Sequence, residues 1–124
     1  MNRPALRVQA LESRDVPAVF GNPWPNADNL TMSFAPDGTD VGGVQSNLFR
    51  TLNAAMPTPT WQAEIVRAFQ TWAAQTNVNV RVTGDNGREL GEAGPLYGST
   101  LYGDVRIAAR PLSDNVLAVS TPFD

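Results

Sequence analysis

The stretch "EIVRAFQTWAAQTNVNVRV", residues 64–82, changes its apolar period from 3.6 to 2 near Asn77, so a helix passes into a strand with almost no loop between them. Trp61, Ile65, Ala68, Phe69 and Trp72 fall within a stripe of roughly 100° when successive residues are turned by 100°. These five are expected to face a core, with Gln62, Glu64, Arg67, Gln70 and Thr71 outside the stripe. Glu64 and Arg67 stand three apart, an exposed pair worth about 0.3 kcal/mol. The helix starts on Thr58 or Thr60 as a cap, with Pro59 suited to a first helical position because it lacks an N–H. Beyond the switch, Val78, Val80 and Val82 alternate with Asn79 and Arg81 as in a strand.

A second alternation lies upstream in "LTMSF", Leu30 to Phe34, where Leu30, Met32 and Phe34 point one way and Thr31 and Ser33 the other. The order strand, helix, strand predicts parallel neighbours with the helix crossing one sheet face in the right-handed sense. Between residues 41 and 56 the chain offers Ser46 as an N-cap for a short helix, with Leu48, Phe49 and Leu52 on one side. Val105, Ile107 and Ala109 predict a third strand, and "NVLAVS", residues 115–120, a fourth. Six of the ten glycines lie between Gly84 and Gly103, predicting a long, mobile surface loop with a small hairpin around Tyr97 to Tyr102. The expected fold class is α/β: a small, mostly parallel sheet of about three to four strands with one long amphipathic helix on a face.

"GNPWPNA", Gly21 to Ala27, is rich in turn formers, which separates residues 1–23, a flexible leader and linker, from a domain over residues 24–124. The leader has no uninterrupted apolar core of a secretory signal, since Arg7, Gln9, Glu12 and Arg14 break it. Its "LESRDVPA", Leu11 to Ala18, resembles a Leu-Glu-x-Arg-x-x-Pro-Ala motif found near the start of bacterial surface and secreted proteins. The alternative is an arginine-rich disordered leader.

Charge and composition exclude several functions. The net charge is −3, and the nine basic residues are all Arg, scattered from Arg3 to Arg110, which gives no electrostatic footprint for nucleic acid. No apolar run approaches the ~18 residues of a membrane span. The chain has no His and no Cys, hence no thiol nucleophile, no catalytic triad and no facial metal site. It also lacks a nucleophile elbow, a phosphate-binding loop, a dinucleotide fingerprint and an EF-hand loop. General-base chemistry would fall to carboxylates: Asp37 and Asp40, Asp85, and Glu89 with Glu92. Each is read first as a turn former or solvated loop charge.

Taken together, the order "W…LTMSF…EIVRAFQTWA…VNVRV…GDVRIA…PFD" resembles the N-terminal half of a matrixin, a zinc metalloprotease of the metzincin group. The likeness runs from Trp24 to Asp124. Trp24 and Leu30 to Phe34 match a Trp followed by a Leu-Thr-Tyr-x-Ile strand, with Met32 in the aromatic position. Ala68, Phe69 and Trp72 match the Ala-Phe-x-x-Trp of the long helix, and Asp104, Val105 and Ile107 the Ala-Asp-Ile-x-Ile of the third strand.

The resemblance implies a partial metzincin-like domain belonging to a secreted bacterial zinc metalloendopeptidase. It implies protein or peptide substrates, an extracellular or cell-surface location, and zinc with calcium as cofactors of the full-length protein. In "TPFD", Asp124 would offer a calcium ligand. The zinc signature His-Glu-x-x-His-x-x-Gly-x-x-His would lie beyond Asp124, so no catalytic residue and no zinc ligand is assigned here and the chain is expected to be inactive alone. The histidines of a second, structural zinc are also missing, since "ARPLSDNVLAVS" offers only Asp114. Such a half-domain would leave a sheet face and an edge uncovered, which predicts weak cooperativity or self-association. The competing expectation is a noncatalytic cell-surface module that binds through the Gly-rich loop, Tyr97 and Tyr102.

Overall fold

A computed structural model describes residues 24–95 and 97–120. The leader motif and Asp124 lie outside the described residues. After a 3-10 turn at Ala27–Asn29 come strand β1 (Leu30–Phe34), helix α1 (Leu48–Asn53), helix α2 (Thr58–Ala73), strand β2 (Val80–Val82) and strand β3 (Val105–Ile107). The strands form one sheet in the order β2-β1-β3, and both pairings are parallel. The chain is therefore α/β, with its first strand in the centre and the long helix α2 linking β1 to β2, as the change of period predicts.

Central placement explains the burial of β1. Alternation predicts a half-buried strand, but all five residues are buried. Leu30, Met32 and Phe34 meet α2, while Thr31 and Ser33 are covered on the other face by the segment between β2 and β3. A parallel strand with neighbours on both sides and cover on both faces has no wet side.

Two apolar clusters fill the helix side. One joins Leu30, Met32 and Val80 to Ile65, Val66 and Phe69 of α2. The other centres on Trp61, 2% exposed, whose ring meets Phe34 and Phe49 edge-on at 5.2 and 5.1 Å between centroids. The Trp61 indole Nε1 donates to Asn53 Oδ1 at 2.8 Å, and the Thr58 hydroxyl donates to the same oxygen at 2.7 Å, so the end of α1 is tied to the start of α2.

Several expectations change. The helix stripe is rotated: Val66 packs on the core, Ala68 is exposed, and Trp72 is 77% exposed. Helix α2 has sixteen residues and β2 only three, so its C-terminal turn overruns the sheet and Trp72 finds nothing to cover. Val82, last in the edge strand β2, is 50% exposed. Neither Thr58 nor Thr60 caps α2, which starts at Thr58 after Pro57 without a side-chain cap. The Glu64–Arg67 pair forms as expected, at 2.6 Å on the surface.

Helix α1 is capped from a distance. The Asp37 carboxylate accepts from the Phe49 and Arg50 amides, both at 2.9 Å, satisfying donors that an isolated helix leaves free. Ser46 instead braces the turn before α1, its Oγ accepting from the Leu48 and Ala109 amides at 3.4 and 3.3 Å. No fourth strand forms among the described residues: residues 115–120 are irregular, with Leu117 fully exposed and Val119 69% exposed. The Val116 amide donates back to the Ser113 carbonyl at 2.8 Å, closing a local turn where strand pairing was expected.

Candidate functional site

The sheet face opposite α2 carries the chemistry. Register pairs Thr31 with Arg81 and Ser33 with Arg106, so these four side chains share that face. The Gly-rich segment after β2 folds back across it. Two carboxylate attachments and one close backbone approach hold it there, and no hairpin forms over residues 97–102.

Asp85 makes the first attachment. Its carboxylate takes a two-pronged contact from Arg106, Nε to Oδ2 at 2.9 Å and Nη2 to Oδ1 at 2.7 Å, with side-chain exposures of 10% for Arg106 and 1% for Asp85. The Ser33 hydroxyl donates to Oδ2 at 2.7 Å and the Gly87 amide to Oδ1 at 2.9 Å. Burial alone pushes the Asp85 pKa up, but the Arg106 hydrogen bonds, the Ser33 hydroxyl, the Gly87 amide and the Arg106 charge together hold it below its ordinary value. Arg106 also donates to the Arg88 and Glu89 carbonyls, and its guanidinium lies 4.6 Å from the Tyr102 ring centroid. Tyr102 is thus part of the clamp and not the exposed binding aromatic expected from the sequence.

Asp104 makes the second, immediately before β3. Its Oδ2 accepts from both the amide and the hydroxyl of Thr31 at 2.9 Å, its own amide donates to the Thr31 hydroxyl at 3.0 Å, and its Oδ1 accepts from the Gly98 amide at 2.8 Å. Between these carboxylates, the Gly103 amide donates to the Ser33 hydroxyl at 2.9 Å. A Cβ on Gly103 would stand 2.6 Å from the backbone of Met32 and Ser33, so only glycine permits this approach.

The other carboxylates singled out from the sequence, Asp37, Asp40, Glu89 and Glu92, are structural or solvated. Asp37 caps α1, Asp40 accepts from the Gly43 amide at 2.8 Å, and Glu92 pairs with Arg88 at 3.6 Å on the surface. Glu89 contributes its backbone carbonyl to Arg106, and Glu89 and Glu92 do not form an acid–base pair with Asp85. Among the described residues no three acidic, His or Cys side chains converge as metal ligands would. The chain's donor set, without His or Cys, does not fit a zinc site. No helix among the described residues is long and apolar enough to cross a membrane.

Beside the Asp104 clasp lies an open cleft of about 390 Å³, walled by Arg81 and Thr83, by Asn26 and Asn29 ahead of β1, and by Tyr97 and Thr100 of the Gly-rich segment. Sequence reasoning singled out Tyr97, which is 43% exposed, but not Arg81, whose place beside Thr31 depends on strand register. Comparison with protein-family models, with curated proteins and with solved structures gave no match for this chain.

Proposed function

We propose that the chain is the N-terminal scaffold of a secreted matrixin-like zinc metalloendopeptidase whose catalytic residues lie outside residues 1–124. The observation that carries this reading is the parallel order β2-β1-β3 with α2 between the first two strands and Asp104 at the head of the third. The residue patterns that carry the resemblance thus belong to one scaffold: Leu30 to Phe34 at its centre, Phe69 against it, and the Asp104 motif alongside. The chain's own contribution is support. Among the described residues no three acidic, His or Cys side chains converge as zinc ligands would, and the Asp85 carboxylate, 1% exposed, is consumed by Arg106.

The test joins zinc content and peptide hydrolysis. The 124 residues alone are expected to carry no stoichiometric zinc and to cleave no casein. Protein expressed with the downstream reading frame is expected to carry a His-Glu-x-x-His-x-x-Gly-x-x-His segment, to bind zinc and to lose activity to a chelator. Zinc or cleavage in the 124 residues, or a downstream frame without the signature, overturns the proposal. A second reading, a noncatalytic binding module, is favoured by one observation: the Gly-rich segment walls a cleft with Tyr97 while Tyr102 is committed to Arg106.

A further inference from the structure

We infer that the cleft between Arg81 and Tyr97 is a binding site for a sugar acid, a uronate residue of an acidic saccharide. The inference rests on the binding-module reading and stands apart from the peptidase one.

Two opposite charges line the cleft, and they are in different states. Asp104 is held by the Thr31 amide and hydroxyl and by the Gly98 amide. The Arg81 side chain is exposed and makes no hydrogen bond or ion pair with any described residue. Its planar fork of donors is therefore open to a ligand, and such a fork is matched by a carboxylate accepting on two oxygens. Neutral donors leave the charge of Asp104 in place, so the wall is formally neutral, and what Arg81 offers a carboxylate is an unoccupied set of paired donors.

Neutral groups narrow the ligand further. Asn26, Asn29, Thr83 and Thr100 all line the cleft, and their side chains make no hydrogen bond with a described residue. A bare carboxylate would engage the arginine and leave these donors and acceptors unused. A polyhydroxyl ring carrying a carboxylate uses both sets. Tyr97 adds an exposed aromatic ring, the surface on which the C–H face of a sugar packs. The volume, about 390 Å³, is at the small end of the ~300–1,000 Å³ range of small-molecule sites, suited to a short saccharide and not to a folded partner.

The experiment is a titration of the intact chain with digalacturonate, followed by ¹⁵N-resolved NMR shifts, beside a neutral digalactoside, acetate and acetyl-trialanine. Saturable shifts at residues 81–83 and 97–100 with digalacturonate are expected, with the neutral sugar and acetate each about 10-fold weaker or more because each supplies half of the contacts. Arg81→Gln is expected to weaken digalacturonate about 10-fold, Arg81→Lys less, and Tyr97→Ala measurably. Arg81 is exposed and unpaired, so thermal melts should show both Arg81 variants folded. Absence of saturable binding, binding unchanged in Arg81→Gln, or tighter binding of the peptide carboxylate than of the uronate overturns the assignment. None of these outcomes bears on zinc, which tests the peptidase reading separately.

Discussion

Arg106 spends its guanidinium on one carboxylate, two carbonyls and one aromatic ring, and nearly all of it is out of water. Removing one member of a buried pair leaves the other charge stranded, which costs more than the pair itself contributes. Arg106→Met is therefore expected to lower stability by about 3–5 kcal/mol in urea unfolding, and Asp85→Asn combined with it to recover part of the loss. Acid dependence follows from the lowered Asp85 pKa. Between its native value and the ordinary 3.8, the unfolded chain holds more protons on this group than the folded one. The contribution is complete above 3.8 and is lost as pH falls through the lower native value, so Arg106→Met should flatten this part of the stability–pH curve. A variant curve parallel to the wild-type one would remove Asp85 from the account. These partners were not legible in the sequence: Asp85 meets Ser33 across 52 residues and Asp104 meets Thr31 across 73. An Asp followed by Asn-Gly looks like any turn until the sheet brings its partner alongside.

Secondary-structure elements were far more legible, because period and turn chemistry are local. β1, α1, α2, β2 and β3 all lie where alternation and helical spacing put them, although β2 and β3 stop short of Val78 and Ala109. What periodicity does not carry is the size of the surface a helix meets. Trp61 and Trp72 occupy one helical stripe, yet one is buried at the junction of α1, α2 and β1 and the other projects past a three-residue strand. Trp61→Ala is accordingly expected to cost about 3–5 kcal/mol, and Trp72→Ala to stay within about 0.5 kcal/mol of wild type. Denaturant midpoints decide this, and a large loss at Trp72 would mean that its exposed position is wrong. The expected fourth strand failed for a related reason. Val116, Leu117 and Val119 have strand-like composition, but a strand is completed by a neighbour, and residues 115–120 have none among the described residues.

On the scale of the whole molecule, the sheet has two outer edges, on β2 and β3, that pair with no further strand among the described residues. Val82, Leu117 and Val119 add exposed apolar surface. Open edges with apolar neighbours are templates for another chain. Sedimentation velocity is expected to show association that rises with protein concentration and persists in high salt. A monomer with a single sharp two-state melt would argue instead for a self-sufficient domain and against the scaffold reading.

The central position of β1 also bears on the order in which the molecule comes together. The carboxylates that grip this strand arrive from 52 and 73 residues away, and closing the longer loop costs only about 0.3 kcal/mol more. Separation along the chain therefore barely ranks the two events. What ranks them is the material in between: α2 stiffens and shortens the path from β1 to β2, whereas the path onward to β3 runs through six glycines, each with a wide range of backbone conformations to give up. Docking of β3 carries the larger entropic cost through composition and not through length, and Asp85, Gly103 and Asp104 are the contacts positioned to offset it.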